Sequence, residues 1–478
     1  MEFTSRIQQN RSSEPPSLAA RIAYHFKLGI AISTVVGIGV CLVWTSTGYD
    51  YLLKLNIIEN REQVCWVGSL LPLGAILGSL PVGILADKYG RKYIAWISSM
   101  PLLISWFIIC FVKNTVVIYA ARFFAGIGCG AASIVVPMYF YEISNNTNQR
   151  QIVHRVQLCL NFGVLWAYAI YLLFRDTVDS DIKPLEEPKI LLTGFVSLCS
   201  MAILLLPESP MWLEDRGRKE EAEQAIQKLT GTHIQLDIRE PVKVVGNSGL
   251  RLSAFRTISN KRDVILILSL ITLQQFIGMG PLTFYLMDNF QLTVHEKIET
   301  WVFYFIVFLP MLIAACFNKV LHQCMGEKLV LGITNLLMAV SAFFISGFAM
   351  ITVSSEFRDG ALTYIIPAML LMIYLTAFQI GLGPLPWIMI GKMFPSNSRK
   401  MMYNLAVTYT WILLFITTLT YAHMVDSMGF PGIMFMYVCI NLITMFVLCC
   451  IPRRVKEIQE DILENLDEVH TNIVPSSL

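Results

Sequence analysis

Gly83-Ile-Leu-Ala-Asp87-Lys-Tyr-Gly90-Arg91-Lys92 lies between two long apolar stretches, and four charged side chains crowd a turn too short to leave a membrane surface. Charges at such a depth cost several kcal/mol unless they are paired, so the segment implies a built ion cluster. A loop needed only to hold positive charge on one side of a bilayer would require the cations alone. It would leave Asp87 and both glycines unexplained. Gly90 permits a tight turn, and Gly83 lets a neighbouring helix approach closely.

The rest of the chain agrees with a membrane setting. Over 478 residues it is 55% hydrophobic and 15% charged, well below the charge of about 25% in ordinary soluble domains. Apolar runs of about 20 residues predict twelve spans. These are 28–47, 65–86, 93–112, 116–141, 157–174, 190–206, 264–287, 300–321, 329–352, 361–391, 402–424 and 431–451. The predicted fold is an all-α polytopic membrane protein with twelve transmembrane helices in two pseudo-symmetric six-helix bundles. Residues 1–27 form an N-terminal tail, 28–206 the first bundle, 207–263 a central loop with short helices, 264–451 the second bundle, and 452–478 a C-terminal tail.

Cations gather in the tails and alternate loops, including Lys88 to Lys92, Arg150 and Arg155, Lys392 to Lys400, and Arg453 to Lys456. The opposite loops lean acidic, so both termini are expected in the cytoplasm, with the plasma membrane as the expected site. The sequon at Asn145 would then go unused. The polar start, Met1 to Lys27, lacks the short apolar region and cleavage site of a removable signal peptide. Net charge of +2 gives no hint of a nucleic-acid partner, and the eleven cysteines, with no CxxC pair, read as small buried hydrophobes. A monomer with no metal or cofactor is expected. No glycine-rich phosphate loop and no nucleophile clustered with a base suggests an enzyme.

The halves echo each other roughly 240 residues apart, as duplicated transporter folds do. Gly83–Lys92 matches Lys319–Lys328, Glu142 to Arg150 matches Lys392 to Arg399, and Leu206-Pro-Glu208 matches Ile451-Pro-Arg453.

Longer motifs carry a family resemblance. Pro207-Glu208-Ser-Pro-Met-Trp-Leu213, followed by Gly217-Arg218, is similar to the central-loop signature of the sugar porters of the major facilitator superfamily. Arg122…Gly126…Gly130 with Pro137-Met-Tyr139-Phe-Tyr-Glu142 resembles their fourth helix. Gln274-Gln275-Phe-Ile-Gly278 resembles the seventh, and Gly381-Leu-Gly383-Pro384-Leu-Pro386-Trp387 the tenth. The loop Gly83–Lys92 has the spacing of the loop between their second and third helices. Trp66-Val-Gly68-Ser-Leu-Leu-Pro72-Leu-Gly74 resembles the insect trehalose-transporter-like branch.

The resemblance implies a central sugar site contacted by Gln157, Gln274, Gln275, Gln379 and Thr410, with Trp387 and Trp411 closing one side. Side-chain amides both donate and accept, which suits a ring of hydroxyls, and an aromatic face suits the ring itself. It also implies an inner-face network of Gly83, Asp87, Gly90, Arg91, Lys92, Arg122, Glu142, Arg150, Glu208, Arg218, Glu327, Lys392 and Arg399. Departures from the family pattern are Gly280, Met311 and Leu414, where amides are expected; they predict a more apolar and roomier pocket. Glu327 and Lys392 look like a family ion pair with both charges reversed.

No predicted span has an Asp, Glu, Lys or His near its middle, so passive transport is expected. Arg122 is the one embedded charge, and a structural role against backbone acceptors is the expected one. The function expected is facilitated transport of a neutral sugar, trehalose or a hexose, by alternating access. The alternatives are a transporter-like sugar sensor and a carrier of another small polar solute such as a polyol.

Overall fold

The structure is a computed structural model, and it describes residues 18–48, 61–111, 114–144, 151–173, 186–231, 261–285, 300–354, 362–394 and 396–450. The first half holds α1 (Leu18–Thr47), α2 (Arg61–Tyr89), α3 (Arg91–Phe111), α4 (Thr115–Ile143), α5 (Ile152–Leu173) and α6 (Glu186–Ala202). The short helices α7 (Pro210–Asp215) and α8 (Lys219–Thr230) follow. The second half holds α9 (Lys261–Phe276), α10 (Met279–Phe284), α11 (Thr300–Met325), α12 (Glu327–Ser354), α13 (Leu362–Ile380), α14 (Leu385–Met393) and α15 (Ser396–Cys450).

Eight stretches among the described residues are long and apolar enough to cross a membrane. The last of them contains two helices, because the backbone of α15 leaves helical geometry at Gly429 (φ 67°, ψ 171°). Counting α5, α6 and α11 with them, the described residues hold twelve spans in two bundles, α1–α6 and α9–α15. Large side chains such as Leu77, Phe111, Phe317, Phe343 and Phe446 face outward, as a lipid-facing belt requires.

Lipid gives helices no hydrophobic reason to associate, so close backbone packing must hold them. The fourth-helix motif supplies it with a register of four. Arg122 Nε donates to the Val67 carbonyl at 3.1 Å. A methyl on Gly126 would lie 2.0 Å from the Leu71 oxygen, and one on Gly130 would lie 2.0 Å from that of Ala75. Gly39 and Gly163 do the same for α1 against α5, at 2.2 Å and 2.1 Å from the carbonyls of Leu160 and Val36. The two bundles meet where α15 packs on α2 and α11 on α5.

Two predicted spans are not continuous. The tenth breaks between α13 and α14 at Gly381-Leu-Gly-Pro384, as its glycines and prolines foretell. The seventh, expected unbroken over 264–287, breaks between α9 and α10 at Gly278 (φ +90°). Only glycine fits there: the left-handed backbone disfavours any side chain, and a Cβ would meet the Tyr437 ring at 2.0 Å.

Candidate functional site

The break in the tenth span leaves the last four carbonyls of α13 in need of donors, since buried backbone groups must be paired. All four are met. Ala377 O accepts from Gly381 N at 2.9 Å and Phe378 O from Gly383 N at 2.9 Å. Gln379 O accepts from Asn318 Nδ2 at 3.0 Å, and Ile380 O from His322 Nε2 at 2.8 Å. Beyond the helix end, Leu382 O and Gly383 O both accept from Gln274 Nε2, at 3.1 and 2.8 Å. The break in the seventh span is closed in return: Tyr374 of α13 donates its hydroxyl to Ile277 O at 2.7 Å. Each broken helix is therefore held open by side chains from its neighbours.

This gives Gln274, singled out in the sequence as a ligand contact, a second task. Its amide nitrogen is committed to the backbone, while its Oε1 is buried with no hydrogen-bond partner among the described residues. Gln275 beside it is half-buried. Gln157 of α5 donates its amide to Oε1 of Gln379 of α13, a direct link between the bundles. Trp411 Nε1 reaches Ser133 Oγ of α4 at 3.3 Å, and Trp387 packs on Tyr403 with ring centroids 5.5 Å apart. Thr410 instead turns its hydroxyl back to Ala406 O of its own helix at 2.8 Å.

The expected roominess around the missing amides is corrected at one position. A methyl on Gly280 would lie 2.2 Å from Leu414 Cδ1, so Leu414 has filled the space beside the glycine. Met311 is likewise buried in the core. The wall here is apolar but not empty.

Towards the face that carries Gly83–Lys92, hereafter the basic face, the ion cluster is built around Glu142. Arg91, 2% exposed, reaches Glu142 Oε2 at 3.1 Å and Asp87 at 2.7 Å, and donates to Ala86 O at 2.7 Å. Ser209 Oγ donates to Glu142 at 2.6 Å. Lys400 of α15 reaches the same carboxylate at 3.2 Å from the opposite bundle. Glu208 caps the start of α3, its Oε1 accepting from Arg91 N and Lys92 N at 2.9 Å each. Gly90 (φ +108°) makes that approach possible, because a Cβ there would meet Glu208 Oε2 at 2.5 Å. Gly83 admits Asn404 of α15, whose Nδ2 would be 2.4 Å from a Cβ. Trp212 of α7 donates to Asp87 O at 2.9 Å, clamping the central loop onto this face. Outside the spans, burial pushes the Asp215 carboxyl up, against the pull of Lys400.

Several expected members lie elsewhere. Arg122 is on α4 with Glu142 but twenty residues earlier, roughly 30 Å along the helix, so it is not part of this cluster. It is 1% exposed and bonds Val67 O, Cys41 O at 3.0 Å and Thr45 Oγ1 at 2.9 Å, with its guanidinium 5.3 Å from the Trp44 ring. Arg218 is exposed and bidentate on Glu221 of the central loop, and Arg399 donates to Phe394 O at 3.2 Å. Lys392 is exposed at the end of α14. Arg150, the Asn145 sequon and the side chain of Glu327 lie outside the described residues, as does the proposed meeting of Glu327 with Lys392.

The opposite face has a seal the sequence did not point to. Tyr285 of α10 donates toward Cys65 O of α2 at 3.2 Å and Thr418 O of α15 at 3.3 Å, and stacks on Tyr421 at 5.3 Å. Gly68 makes room for it: a Cβ would meet its hydroxyl at 2.3 Å. Tyr168 of α5 stacks on Phe308 of α11 at 4.7 Å. The two bundles thus touch on both sides of the amide layer.

Residues 26–469 match the family described as sugar (and other) transporters. Among curated proteins, the chain is 25% identical over 455 residues to the facilitated trehalose transporter Tret1 of Apis mellifera ligustica, covering 90% of this chain and 87% of that one. It is 26% identical to Tret1 of Bombyx mori, covering 87% and 82%. Against Tret1 of Drosophila grimshawi, also 26% identical, it spans 47% of the relative's length. Among solved structures, the xylose transporter XylE from E. coli, in a partially occluded inward-open conformation, superposes with a TM-score of 0.71 at 19% identity, covering 90% and 98%. The human organic anion transporter MFSD10 superposes at 0.57 with 14% identity, covering 91% of this chain and all of that one.

Proposed function

Because this chain belongs to the sugar (and other) transporter family, we propose that it is a facilitator: it carries a neutral sugar down its gradient by alternating access. The relatives' names make trehalose the first sugar to test, with hexoses next. The observation that carries the reading is the amide layer between the bundles. Gln157 and Gln379 satisfy each other across the interface, and Gln274 keeps a buried carbonyl oxygen unpaired. A sugar hydroxyl both donates and accepts, so it can replace the amide–amide contact and supply the missing donor. Binding then separates the Gln157–Gln379 pair and makes the sugar the link between bundles.

Passive transport is supported by Arg122, whose hydrogen bonds go to two carbonyls and a hydroxyl rather than to a titratable carboxylate. The cation-rich basic face is taken as cytoplasmic, with the plasma membrane as the site. There the Glu142–Lys400 bond across the bundles closes the inward path, and Tyr285 closes the outward one. We take residues 28–206 and 264–451 as the two bundles, with 207–263 as the loop between them. Uptake of a radiolabelled sugar panel into proteoliposomes tests the reading. Trehalose or a hexose should enter faster than into empty vesicles. Equal entry for every sugar with and without protein overturns it.

A further inference from the structure

His322 caps the broken tenth span, and its chemistry is fixed by that task. A carbonyl oxygen can only accept, so the nitrogen facing Ile380 O, Nε2, carries the proton. In the neutral ring the other nitrogen, Nδ1, then holds a bare lone pair, and it is buried with no hydrogen-bond partner among the described residues. A carbonyl that holds one imidazole nitrogen while the other presents its lone pair is the arrangement found behind metal-binding histidines.

A second imidazole lies against it. The rings of His154 and His322 have centroids 6.3 Å apart and planes inclined by 47°. His154 belongs to α5 in the first bundle and His322 to α11 in the second. His154 also stands one helical turn from Gln157, so the histidines form a layer next to the Gln157–Gln379 bridge. Two imidazoles sharing an ion at about 2.0–2.1 Å have centroids roughly 5–6 Å apart. The observed centroid spacing of 6.3 Å lies just outside that range.

We propose that His154 and His322 form a two-imidazole site for a divalent transition-metal ion, of the zinc, nickel or copper class, that bridges the two bundles and holds this side of the transport path closed. Imidazole suits these ions and not magnesium or calcium. Among the described residues no group of three or more metal-type side chains occurs, so the ion keeps water in its other positions. Such an open site binds reversibly, which fits a brake on transport rather than a structural staple. Because the ion joins both bundles, it favours whichever state keeps the histidines together.

The test uses the purified full-length protein in detergent and needs no transport. Zn2+ and Ni2+ are titrated by calorimetry into the unaltered chain, His154→Gln, His322→Gln and the double variant, with Mg2+ as control. Glutamine keeps an N–H donor for Ile380 O, so the cap survives, and His154→Gln leaves the cap untouched altogether. One ion per chain should bind the unaltered protein, and each single change should weaken it about tenfold or more. The double change should be no worse than the more severe single one, because both ligands serve one ion. Absence of Zn2+ and Ni2+ binding, or binding unchanged in both single variants, overturns the proposal. So does a double variant whose loss equals the two single losses combined, since that would mean two separate ions.

Discussion

Gln274 and Tyr374 each close the break in the other's helix. The amide of Gln274, on the seventh span, holds Leu382 O and Gly383 O of the tenth, while the hydroxyl of Tyr374, on the tenth, holds Ile277 O of the seventh. Both side chains are buried, so removing either strands carbonyls away from water. Each stranded carbonyl costs about 1–3 kcal/mol. Tyr374→Phe and Gln274→Leu should therefore both lower the thermal unfolding midpoint in detergent, with Gln274→Leu the more severe. Midpoints equal to that of the unaltered protein would show that the breaks are satisfied in another way.

Gln275 separates sugar binding from this scaffolding. It is half-buried beside Gln274, and Gln275→Leu should leave the unfolding midpoint unchanged. Sugar binding should weaken by about 1–3 kcal/mol, because a hydroxyl in the site loses its partner. Equilibrium binding of labelled sugar to purified protein decides this, and unchanged affinity would take Gln275 out of the site.

Gly280 and Leu414 must be changed together. Leu414 Cδ1 occupies the place where a side chain at 280 would begin, so Gly280→Asn alone should impair folding or transport. Gly280→Asn with Leu414→Ala should recover both and add an amide to the site. A double variant as poor as the single one would mean that Leu414 is not the obstacle.

The two cations on Glu142 should behave differently. Arg91 is buried with its partner, and breaking a buried pair by removing one side costs about 3–5 kcal/mol; Arg91→Met should sharply reduce stability. Lys400 is half exposed, with 51% side-chain accessibility, and its bond to Glu142 is worth no more than about 1 kcal/mol. Lys400→Met should barely move the unfolding midpoint but raise cysteine-labelling rates on the basic face, because this bond joins the bundles. Similar stability losses for the two variants would contradict that division.

The sequence carried the fold well because membrane insertion writes itself in long apolar runs, and the turn at Gly83–Lys92 keeps its charges where they must be paired. That Glu142 and Glu208 join Arg91 was implied by the family resemblance rather than by the turn itself. The sequence did not carry the partners of the broken helices. Asn318 and Tyr374 are ordinary residues in apolar runs and His322 sits in the stretch Lys319–Lys328, and the value of each arises only where another span exposes a carbonyl beside it. Tyr285 was missed likewise, although Gly68, quoted as a motif, is the space it fills. Arg122 is legible as a structural cation, and the twenty residues between it and Glu142 along α4 already place it away from the cluster. Gly280 was read as a loss, since a sequence shows a missing side chain and not the leucine that moves in.

The central claim, passive sugar transport through an amide layer without a coupling proton, is tested most directly by the plateau of uptake. Proteoliposomes holding the purified protein are given labelled trehalose or hexose with and without an inward proton gradient. The internal concentration should rise to the external one and stop there, and the gradient should leave that plateau unchanged. Accumulation above the external concentration, driven by the proton gradient, would contradict the account.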